Sequence, residues 1–239
     1  MINPNAGRGP HVPSGLATPP DNRMQTVPRV LGSLDLPFEV NQDFTTYDPN
    51  NTLHASASGL ELRERCIEAF FYHFHPAHPF TLPRTEFMEL RQKQGVDHLL
   101  AAMRYVGSAY VSSANTVALG LEAERIVYGA ECPQDAYRVQ AMLILTIGLD
   151  GYTHQEKALQ ILMDAQDLAL TLQMNKREFA FLNSSGSPIY EESWRRTWWE
   201  LYIVDGMIAG VHQKSDFRMK DMPNDVELPC EEKEYLSGV

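Results

Sequence analysis

Residues 155–174 read QEKALQILMDAQDLALTLQM. Ala158, Ile161, Leu162, Ala165, Leu168, Ala169 and Leu172 fall at i, i+3, i+4 and i+7. That spacing lines one face of a helix and leaves the other to solvent. Thr153 and Glu156, three apart at the head of the run, have the pattern of a capping box. Outward from this stretch the same period predicts helices over 60–75, 84–94, 96–114, 117–131, 134–149 and 189–211. Pro83 and Pro133 suit first-turn positions, where no backbone donor is needed. No segment alternates in the manner of a strand. Seven helices joined by short links predict an all-α, multi-helix orthogonal bundle over residues 59–239.

Residues 1–58 are rich in Pro, Asn, Gly, Thr and Ser, and their apolar residues lack helical period. They predict a disordered N-terminal segment with one docking stretch at Val30–Phe38. After residue 212 the chain turns polar and loop-like, with Pro223 and Pro229. Over its 239 residues the net charge is −11, from 20 basic and 31 acidic side chains. Such a surface repels phosphate backbones, and no basic stripe is present, so direct DNA binding by this chain alone is not expected. Three distant cysteines, Cys66, Cys132 and Cys230, argue against a disulfide framework and against a cysteine zinc site. Cys132 precedes Pro133 at a helix start, but no histidine is close in sequence, so it reads as a structural thiol. The N-terminus has no apolar signal core. The longest nearly apolar run, AMLILTIGL at 141–149, is too short to span a bilayer, so no membrane partner is expected. Walker, GxGxxG, GxSxG and HExxH patterns are absent. Thr18-Pro19 and Ser187-Pro188 have the form of proline-directed phosphosites, and Asn183–Ser185 that of a glycosylation sequon without a visible secretory route.

Residues 70–80, FFYHFHPAHPF, bring three histidines within six positions. His73 and His75 are two apart, so on a helix they point in nearly opposite directions. Pro76 stops the helix and pushes His75 toward an extended conformation. His75 and His78 are three apart, but across the proline break, and Glu68 and Glu86 are the nearest carboxylates. The expectation is therefore a helix end with imidazoles capping last-turn carbonyls, followed by a turn that packs Phe80 inward. A metal-dependent hydrolase built on His73, His75 and His78 is the rival, and it lacks ligand spacing. No catalytic residue, metal or cofactor is expected.

Residues 192–207, ESWRRTWWELYIVDGM, place Trp194, Trp198, Leu201, Tyr202, Asp205 and Ile208 along one stripe. Trp199 and Ile203 lie opposite, so the helix is apolar most of the way round and should sit centrally. Arg196 and Glu200 are spaced as an i, i+4 pair. Asp205 stands in the buried stripe and needs a partner, expected to be Arg195 or Arg104. The alternative is a ligand-facing carboxylate in a small-molecule pocket lined by Trp198, Tyr202 and Asp205, with the histidines at its rim.

Four segments in order resemble one family, the middle regulatory domain of fungal zinc binuclear cluster transcription factors. FFYHFHPAHPFTLP is similar to its opening aromatic helix and His-Pro turn. VQAMLILTIGL and ALQILMDAQDLALTLQMN look like its paired central helices. ESWRRTWWELYIVDG resembles its most diagnostic block, and NDVELP its closing segment. Carried over residue by residue, the signature positions here are His75, His78, Arg195, Arg196, Trp198, Trp199 and Asp205. The resemblance implies a nuclear, non-enzymatic transcription regulator that acts through a protein partner, a full-length zinc-cluster factor among them, or a small-molecule effector. Without the resemblance, the cytoplasm is the expected compartment. The chain departs from the family plan in several places. Its three cysteines cannot build the six-cysteine zinc cluster, so zinc belongs only to a cluster absent from this chain. Gly206 follows Asp205 where an arginine is usual, and Val211–Lys214 replaces a Gly-Arg-Pro turn. The chain ends soon after Pro229, so the expectation is a C-terminally truncated domain, whether a fragment, a short paralogue or a piece of a mis-drawn gene.

Overall fold

A computed structural model describes residues 52–152 and 154–237, with side chains from Gly59 onward. Residues 1–51, with the Val30–Phe38 stretch, and Thr153 of the expected capping box lie outside the described residues. Nine α-helices and no strand occur among the described residues. They are α1 (Thr52–Ala69), α2 (Arg84–Lys93), α3 (Asp97–Ser108), α4 (Thr116–Val127) and α5 (Ala136–Gly151). They continue with α6 (Gln155–Thr171), α7 (Arg177–Leu182), α8 (Pro188–Val211) and α9 (Glu232–Ser237). A π-helical turn, Phe70–Phe74, extends α1, and a 3-10 turn, Arg218–Asp221, follows α8. The all-α, multi-helix architecture expected from the sequence is the one observed.

Local chemistry sets most boundaries. The Asn115 side chain accepts the Ala118 N–H at 3.0 Å, and the Asp135 side chain accepts the Arg138 N–H at 2.9 Å. Each satisfies one of the donors a helix N-terminus leaves open. Pro133 thus lies ahead of the α5 cap rather than in its first turn, and Pro83 is itself the N-cap residue of α2. α6 is capped at His154, without a side-chain bond. α3 ends at Ser108, six residues before its expected end, because the Ser108 hydroxyl bonds the Tyr105 carbonyl and Thr116. The chain then leaves through successive i→i+3 turns.

The core centres on α5, which packs against α3, α4, α6 and α8. Every residue from Arg138 to Thr146 is buried. The helix expected over 189–211 to sit between other helices packs against α5, α6, α7 and the 3-10 turn. Its outer side is open to solvent: Ile203 is 53% exposed and Trp199 is half-buried. The inward face of α8 carries Glu192, Ser193, Arg196, Thr197 and Glu200, whereas α5 buries a mainly apolar run with Arg138, Gln140 and Thr146 among it. α1 crosses α3 closely at Gly107, where a Cβ would lie inside the Cys66 carbonyl oxygen. The Tyr105 ring lies between Gly120 of α4 and Gly148 of α5, filling the space their missing side chains leave.

The C-terminal segment is not all loop. Its 3-10 turn packs on α8, and α9 buries Tyr235. No helix among the described residues is long and apolar enough to cross a membrane.

Candidate functional site

α8 turns Glu192, Ser193, Arg196, Thr197 and Glu200 inward, at i, i+1, i+4, i+5 and i+8. These positions form one helical face, and it meets the turn that follows the histidines. The Ser193 hydroxyl donates to the Phe80 carbonyl at 2.9 Å. Gln140, from the middle of α5, donates through Nε2 to the same carbonyl at 3.1 Å and to Thr197 Oγ1 at 2.9 Å. Tyr235 of α9 donates its hydroxyl to the Thr81 carbonyl at 2.9 Å. Three distant parts of the chain thus converge on two adjacent carbonyls.

The histidines separate. His73 is exposed and stacks on Tyr110, centroids 4.3 Å apart. His75 is 6% exposed, and its Nε2 lies 3.1 Å from the Thr81 carbonyl. A carbonyl only accepts, so that nitrogen carries the proton. Burial pulls the His75 pKa below the ordinary histidine value, partly offset by this hydrogen bond. His78 Nδ1 meets Glu200 Oε1 at 2.7 Å. The imidazoles therefore do not cap last-turn carbonyls. Phe70–Phe74 winds as a π turn closed by the His75 N–H on the Phe70 carbonyl, 3.0 Å. With that wider turn His75 stays helical, at φ −55° and ψ −37°, rather than extended, despite Pro76. Phe80 packs inward, 1% exposed. Among the described residues no group of three or more His, Cys, Asp and Glu side chains is arranged to hold a metal ion.

The double arginine follows a different pairing from the one expected. Arg196 Nε bonds Glu192 Oε1 at 2.9 Å, and Glu200 is taken by His78. A glutamate one turn before an arginine is the better-oriented pair, since helical side chains lean toward the N-terminus. Arg196 Nη2 donates to the Cys230 carbonyl at 2.8 Å, and its guanidinium lies over the Tyr235 ring, 4.4 Å from the centroid. Glu192, 3% exposed, also accepts the Cys230 N–H at 2.9 Å and Arg195 Nε at 2.9 Å. Burial works against the Arg195 cation, but its bonds to Glu192 and Glu191 outweigh that and hold its pKa above the ordinary value.

Trp199 Nε1 donates to the Glu227 carbonyl at 2.8 Å, and Trp194 Nε1 to the Asn183 carbonyl at 3.0 Å. Trp198 is 1% exposed, and its Nε1 has no hydrogen-bond partner among the described residues. Asp205 takes neither Arg195 nor Arg104. Its Oδ2 accepts the Met219 N–H at 2.8 Å and so caps the 3-10 turn. Arg104 is instead near Glu64, 3.9 Å away. Nine residues from Arg196, Asp205 is about 13 Å further along the helix axis and belongs to a separate contact.

Two surface grooves are present, of about 450 Å³ between α4 and α6 and about 320 Å³ between α7, α8 and Val226–Glu227. Neither is lined by Trp198, Tyr202 or Asp205. Glu192, Ser193, Thr197, Gln140 and Tyr235 were not singled out in the sequence. Signals pointed to two of them: a glutamate four residues before Arg196 marks Glu192, and a lone glutamine within the apolar run VQAMLILTIGL marks Gln140.

Residues 67–238 match the fungal specific transcription factor domain. The chain is 46% identical over 178 residues to the C6 finger domain transcription factor iacK of Pestalotiopsis fici. That alignment covers 74% of this chain and 27% of the relative, so the chain spans about a quarter of that protein's length. No solved structure matches the chain.

Proposed function

The chain belongs to the fungal specific transcription factor domain family, and from that premise we propose that it regulates transcription in the nucleus by binding a protein partner, without chemistry of its own. One observation carries this reading. The polar side chains of the signature block are spent on holding segments of the fold, with Arg196 on Cys230, Trp199 on Glu227 and Asp205 on Met219. Groups engaged in this way shape a surface and are not poised around a reacting atom. Zinc and direct DNA contact form no part of the proposal.

The test is a reporter assay with the full chain fused to an unrelated DNA-binding domain. A change in reporter output relative to that domain alone is expected, and it should be lost in an Arg196→Met fusion expressed at the same level. Identical output with and without the chain would end the proposal. A fluorescent fusion reads the nuclear compartment independently.

A further inference from the structure

The block on α8 recognises its C-terminal segment mainly through the main chain. Glu192 accepts the N–H of Cys230 while Arg196 donates to its carbonyl, so both backbone groups of one residue are read. Trp199 reads the carbonyl of Glu227. A single side chain adds specificity: the Tyr235 ring lies under the Arg196 guanidinium, and its hydroxyl donates to Thr81. Backbone pairing together with one side-chain pocket is how grooves bind extended peptides. The segment is also lightly held. From Met222 to Ser237 only Val226 and Tyr235 are buried, and elements with few buried contacts open at low free energy. Its charge is complementary to the site. Asp225, Glu227, Glu231, Glu232 and Glu234 stand against one Lys233, and Glu227 lies beside Arg177 and 3.9 Å from Arg195.

We propose that Glu192, Arg196 and Trp199 form a peptide clamp, filled in cis by residues 227–235 and competed for by a partner's acidic segment that is non-helical where it meets the clamp and carries a tyrosine on the helical turn that follows. The proposal deepens the partner-binding reading above and rests on it. Its test uses no reporter, so the two can fail separately.

The probe is a fluorescent synthetic peptide of residues 224–237 with Cys230→Ser, titrated into the full chain by anisotropy. In the wild type the cis segment competes. A Tyr235→Phe chain keeps its shape but loses one hydrogen bond, so it should bind the peptide about fivefold more tightly than wild type. A peptide with Tyr235→Ala should bind at least about tenfold more weakly, since it loses ring and hydroxyl together. No saturable binding to the Tyr235→Phe chain would overturn the clamp, as would equal binding of a scrambled peptide. If that chain instead forms a dimer that excludes the peptide, the occupant is a second copy and the partner assignment falls. Should Tyr235→Phe not fold, hydrogen exchange on the wild type decides. Saturating peptide should speed exchange of the Cys230 amide, and an unchanged rate would overturn the proposal.

Discussion

His75 loses its charge on burial, and its proton stays on the nitrogen that faces the Thr81 carbonyl. Stability then depends on pH in a definite direction. An unfolded histidine titrates near ~6.5, and the folded His75 titrates lower. Above ~6.5 both states are neutral and nothing is lost. As pH falls through that value, the unfolded chain takes up a proton that the folded chain resists, so stability drops. Urea midpoints should therefore fall between about pH 7 and about pH 5, and fall less in a His75→Gln variant. Equal pH slopes in the two proteins would remove His75 as the source. Gly107 gives a second prediction at this scale. Its missing side chain lets α1 and α3 touch backbone to backbone. Gly107→Ala has to push the helices apart and should destabilise by about 3 kcal/mol, read as a lower urea midpoint with an unchanged slope. A cost under about 0.5 kcal/mol would contradict this crossing geometry. The sequence showed that the three histidines lacked ligand spacing, but it did not show where each ring goes. His78 finds Glu200 across 122 positions, and no local pattern encodes that contact.

α8 was visible as an aromatic helix from its period alone, and its boundaries were met within one residue. Its role as a clamp was not visible. The stripe rule counts apolar positions, while the inward face here is built from Glu192, Ser193, Arg196 and Thr197. Those side chains are buried because the Phe80 carbonyl, Gln140 and Cys230 come to meet them. α7 and α9, six residues each, escaped because an isolated helix that short is not stable, and tertiary contacts hold it. The Glu192–Arg196 pair yields the prediction at this scale. Both groups are nearly buried, at 4% and 8% side-chain exposure. Arg196→Lys keeps a charge but cannot reach Glu192, Cys230 and the Tyr235 ring together, and it should cost about 2–3 kcal/mol. In a cycle with Glu192→Gln, the coupling between the two changes should exceed about 1 kcal/mol by urea denaturation. A coupling near zero would mean that the two side chains act independently and that the clamp is a geometric coincidence.

The signs and placement of charge across the molecule decide whether it meets nucleic acid by itself. Its net charge is −11. Many of its cations are also already engaged: Arg63 with Glu122, Arg84 with Glu68, Arg91 with Glu64, Arg177 with Glu227 and Arg218 with Asp167. To contact phosphates, these arginines would have to leave carboxylates that stay behind and repel the duplex. Affinity for DNA comes largely from counterions displaced by free cations, and it falls with salt at a slope near −0.9 per phosphate contacted. With cations already paired, that gain is small and the long-range field is unfavourable at any distance inside a Debye length of about 10 Å. The chain should therefore give no saturable anisotropy change with a fluorescent duplex at about 50 mM salt and protein up to about 10 µM, where nonspecific binders of basic charge already respond. Binding with a salt slope steeper than about −3 would require several phosphate contacts. It would show that the paired arginines are rearranged in the complex and would overturn the expectation that these residues do not themselves hold DNA.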